Sequence, residues 1–83
     1  LPSNDILLKI KQKATRINLN LPEKEITFRA NKGNNDITFN IDTSNLGVNE
    51  ISVQAFYTID ADAKVLIPSD IIKINIEIIQ EGL

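Results

Sequence analysis

The sequence predicts an all-β domain, an antiparallel β-sandwich of six to seven strands. Three observations predict it. Apolar and polar residues alternate with a period of two in six separate runs. Ile, stiff at χ1 and suited to a pleated surface, supplies 15 of the 83 residues, whereas Ala, the best helix former, supplies five. Turn residues punctuate the runs at short, even intervals, and a helical period is not sustained over more than two turns anywhere.

The runs follow in order. Ile6, Leu8 and Ile10 alternate with Leu7, Lys9 and Lys11, and Ile17, Leu19 and Leu21 with Arg16, Asn18 and Asn20. Neither Gly nor Pro marks the boundary between these two, at 12–15. Pro22-Glu23-Lys24 then leads into Ile26, Phe28 and Ala30, and Lys32-Gly33-Asn34-Asn35 is a turn cluster in which Gly33 supplies a free φ. Ile37, Phe39 and Ile41 form the fourth run. Residues 42–50 read as a crossover loop between two sheets, with Leu46 plugging the core. Ile51, Val53, Ala55, Tyr57 and Ile59 form the fifth run, and Asp60-Ala61-Asp62-Ala63 a hairpin tip. Pro68-Ser69-Asp70 marks an edge or a bulge, because Pro cannot donate to a ladder. Ile72, Ile74, Ile76 and Ile78 close the chain, and a seventh strand arises if 64–67 stands apart.

Each run carries one apolar face, so two sheets must face one another to bury both. A domain of this size buries only about 60–65% of its unfolded surface, so the core is thin. The expected organisation is one domain over residues 1–83, excised from a larger protein, with 1–5 as linker.

Composition removes several chemistries. Without Cys, His, Met or Trp there is no disulfide, no Cys/His zinc site and no His-based nucleophile pair. An enzyme is not expected, and no cofactor is. No apolar run reaches the roughly 18 residues of a membrane span, so direct membrane insertion is not expected. Charge is uneven: residues 1–32 carry +4 and residues 33–83 carry −6. The basic residues are interspersed with apolar ones, as expected where paired strands carry opposite charges.

Four constellations merit a chemical reading. Asp60 and Asp62 are weak metal candidates: a convex hairpin tip offers too few oxygens for Ca²⁺, and turn chemistry accounts for both, so no metal is predicted. Lys9, Lys11 and Lys13 form a stripe along one side of the first strand that could meet an anionic ligand. Protection of an exposed strand edge is the simpler account. No aromatic alternates with them and the net charge is −2, so nucleic acid is not an expected partner. Phe56 has the opposite parity to its strand's apolar set and is expected to point away from the core, onto a neighbouring domain or under Leu7 and Leu66. Tyr57, with core parity, is expected to be buried, its hydroxyl on a backbone partner.

Residues 41–60, with the hairpin and last strand after them, resemble the closing half of bacterial immunoglobulin-like (Big-type) modules. Asp42, Thr43, Ser44 and Leu46 match the family's Asp-Thr-Ser-x-Leu crossover. Gly47 comes earlier than the family's Gly, and the hairpin lacks one. The resemblance implies an immunoglobulin-like sandwich serving as a noncatalytic spacer or accessory domain of a secreted or cell-surface bacterial protein. Its partners would be neighbouring domains of the same polypeptide. The alternative is an adhesive module for a surface protein or glycan, with Phe56, Lys9, Lys11 and Lys13 as its contact surface.

Overall fold

A computed structural model describes residues 4–58 and 65–81. It is all-β and antiparallel. Its strands are β1 (Asp5–Ala14), β2 (Leu19–Asn20), β3 (Lys24–Arg29), β4 (Gly47–Tyr57), β5 (Ile67–Pro68) and β6 (Ile72–Ile78). The described strands form one curled sheet. β1 and β4 are its centre, β2 and β3 flank β1 in succession, and β5 and β6 flank β4.

The register gives this sheet two unlike faces. Leu8 stands opposite Ala55, Ile10 opposite Val53 and Gln12 opposite Ile51 across β1 and β4. Val53 and Ile51 continue to Ile72 and Ile74 on β6, and Leu8 and Ile6 to Ile26 and Phe28 on β3. Opposed residues in an antiparallel pair share a face, so this face is apolar. The other carries Lys9 opposite Gln54, Lys11 opposite Ser52 and Lys13 opposite Glu50. Burial is deepest at the β1–β4 seam, where Ile10, Ala14 and Ile51 are each at most 3% exposed.

Several expectations are corrected. The run at 16–21 holds only two strand residues. Thr15–Ile17 instead form a 3-10 turn that Asn18 ends in the left-handed region (φ 52°), its N–H donating to Thr15 O. That reversal returns β2 onto Lys13 and Ala14 and leaves Ile17 exposed. Residues 36–42 join no ladder, although the alternation survives as burial: Ile37, Phe39 and Ile41 are half-buried and their neighbours exposed. The crossover is shorter than 42–50, because β4 begins at Gly47, and Leu46 is exposed rather than a plug. Tyr57 lies at the exposed end of β4 rather than in the core. Ile72 and Ile74 are more than half exposed, at 62% and 51%, because no described strand lies over that part of the apolar face.

The break at Pro68 is a one-residue bulge. Phe56 and Tyr57 pair with Pro68 and Ile67, whereas Val53 pairs with Ile72, so three residues (69–71) oppose two (54–55). Ser69 repairs the ladder there: its N–H donates to Ala55 O (2.8 Å) and its Oγ accepts from Ala55 N–H (3.0 Å). Gln54 Nε2 donates to Ser69 O at 3.0 Å.

Candidate functional site

Register brings Lys9, Lys11, Lys13 and Phe56 onto one face. β1 has neighbours on both sides, so the lysine stripe runs down the middle of the sheet and protects no edge. Lys9 stands opposite Glu25 of β3 as well as Gln54 of β4, and Lys13 opposite Glu50. Glu50 in turn lies 3.9 Å from the Lys73 ammonium of β6. Opposite charges therefore face one another at Lys9 with Glu25 and at Lys13 with Glu50, whereas Lys11 faces Ser52. All these groups are solvated, so each pair contributes at most about 1 kcal/mol.

Phe56 lies on the polar face, as its parity requires. It is half-buried, opposite Leu7 on β1 and Pro68 on β5, while Leu66 is exposed. The Lys9 ammonium sits over its ring, 5.0 Å from the centroid. A cation over an aromatic face at that range contributes about 0.5–1 kcal/mol at an exposed site. A shallow groove of about 170 Å³ beside it is lined by Lys9, Lys11, Gln54, Phe56 and Ile71 among others. A larger one, of about 480 Å³, runs past Lys11, Lys13, Asn20, Glu23 and Glu50. Asp60 and Asp62 lie outside the described residues.

Beneath the opposite face is a polar cluster that parity alone did not announce. Gln12 Nε2 donates to Asn49 Oδ1 (3.1 Å) and to Asp42 O (2.7 Å), and Gln12 Oε1 accepts from Asp42 N–H (3.1 Å). Asn49 Nδ2 donates to Asn45 O and Gly47 O. Both side chains are buried, Asn49 completely. The cluster ties residues 42–47 to the sheet. The available signal was Gln12 itself, a polar residue at core parity between Ile10 and Ala14. Nearby, the Asp42 carboxylate accepts from Ser44 N–H (2.8 Å) and Ser44 Oγ. Those bonds, with a smaller contribution from the Lys24 charge, hold its pKa below the ordinary value of 3.8.

Comparison with protein-family models, curated proteins and solved structures gives no match.

Proposed function

We propose that the chain is a noncatalytic structural module, a spacer or accessory domain of a larger secreted or cell-surface bacterial protein. Its partners are the neighbouring domains of the same polypeptide. The carrying observation is the state of Phe56. Its ring is engaged within its own sheet, capped by Lys9 and flanked by Leu7 and Pro68, so it is poorly disposed as an open platform for a sugar. The long dimension of the molecule, 54 Å against 24 and 17 Å, suits a part that holds its neighbours apart.

The proposal includes an immunoglobulin-like sandwich. In support, residues 36–42 keep a strand's alternation, and at their end Asn40, Ile41 and Asp42 share a cleft with Ile10, Gln12, Leu21 and Lys24. Such a segment is the natural first strand of a second layer.

A glycan array probed with the 83-residue chain tests the reading. The spacer role predicts no saturable binding. Saturable binding that Phe56→Ala abolishes, with the melting temperature unchanged, would replace it with the adhesive module.

A further inference from the structure

We propose that β6 is a self-complementary edge through which two copies of this chain join into one continuous sheet, related by a two-fold axis at Asn75. Among the described residues β6 pairs on one side only, with β4, so its other side presents free backbone donors and acceptors. Residues 72–78 read Ile-Lys-Ile-Asn-Ile-Glu-Ile. This order is symmetric about Asn75 in polarity and antisymmetric in charge.

Antiparallel pairing with a second copy, with Asn75 opposite its own counterpart, sets Lys73 against Glu77 and Glu77 against Lys73. Ile72 meets Ile78, and Ile74 meets Ile76. All four Ile of each strand fall on one face and both ion pairs on the other, as a two-fold interface requires. Exposure fits this arrangement. Ile72 and Ile74 are the more exposed pair, and each would meet an Ile that is already half-buried. The Lys73 side chain is 64% exposed even while near Glu50, so its ammonium is free to turn to a partner. β6 contains neither Pro nor a bulge, devices that normally blunt an edge.

The opposite edge is a weaker candidate. β3 has Glu25 and Arg29 symmetric about Thr27, but its Ile26 and Phe28 are half-buried. The Lys24 ammonium at the start of β3 is also already engaged, donating to Asn40 O (2.6 Å).

Sedimentation equilibrium of the whole chain, from micromolar to millimolar, tests the proposal. The wild type is expected to dimerise. Lys73→Glu sets two like-charged pairs across the axis and should weaken the dimer by about tenfold or more. Glu77→Lys should do the same. Mixing these two single variants should restore association, because each chain then supplies the charge the other lacks. The double swap Lys73→Glu/Glu77→Lys should also restore it, and Arg29→Glu should change nothing. Circular dichroism checks that each variant keeps its strand signal, and recovery on mixing shows that both single variants are folded. A wild type that stays monomeric at millimolar concentration overturns the proposal. So does a dimer indifferent to both charge reversals, which would mean that the Ile faces stack instead.

Discussion

The carboxamides of Gln12 and Asn49 meet inside the sheet, 3.1 Å from Nε2 to Oδ1, although 37 positions separate them. They stand on the two central strands at the deepest part of the core and are joined to the backbone at Asp42, Asn45 and Gly47. Apolar strands alone leave pairing free to slip in steps of two residues. A buried amide with defined partners removes that freedom, since each slipped pairing would strand a polar group in the core.

Asn49→Ala is therefore expected to destabilise the fold by about 1–3 kcal/mol, the cost of leaving buried partners unsatisfied. Urea denaturation measures it. A double-mutant cycle with Gln12→Ala should show coupling of about 0.5–3 kcal/mol, and strict additivity would mean that the two amides act separately.

Gly47 opens β4 at φ +93°, a conformation that L side chains rarely adopt. Gly47→Ala is expected to cost about 1–3 kcal/mol. A Cβ there would touch Arg16 Cδ at 3.4 Å, an ordinary contact with a flexible side chain. Backbone strain is thus the cause, and Arg16→Ala in the same chain should rescue nothing in thermal melts.

Asp42 predicts an acid-sensitive contribution. Its folded pKa is lowered by the Ser44 bonds, so the stabilisation is fully present above the unfolded value of 3.8. It is lost as pH falls through the folded value. The melting-temperature difference between wild type and Asp42→Asn should be present at neutral pH and vanish in acid below that window. A difference that stays constant into acid would assign the effect to shape instead of charge.

Ser69 supplies an acceptor where the bulge interrupts the ladder. Ser69→Ala should cost about 1–2 kcal/mol, because Ala55 N–H then lacks that acceptor. Hydrogen exchange at Ala55 should accelerate in the variant while that at Ile51 changes less.

The two-residue period was enough for the all-β class, the antiparallel alternation and the division of each strand into an apolar face and a mostly polar one. These are local: a period of two sorts side chains to opposite sides of any extended strand. The sequence also located the turn at Gly33, which Asn35 closes through its carboxamide to Asn31, and the break at Pro68. It did not determine which strands pair. The lysine stripe was legible, but its place mid-sheet came from β3 and β4 closing on both sides of β1. Nor did parity show how far each strand is covered: Ile10 and Ile74 look alike in the sequence, yet one is 3% exposed and the other 51%. Burial depends on what lies above a residue, which pairing between distant segments decides and no local period encodes.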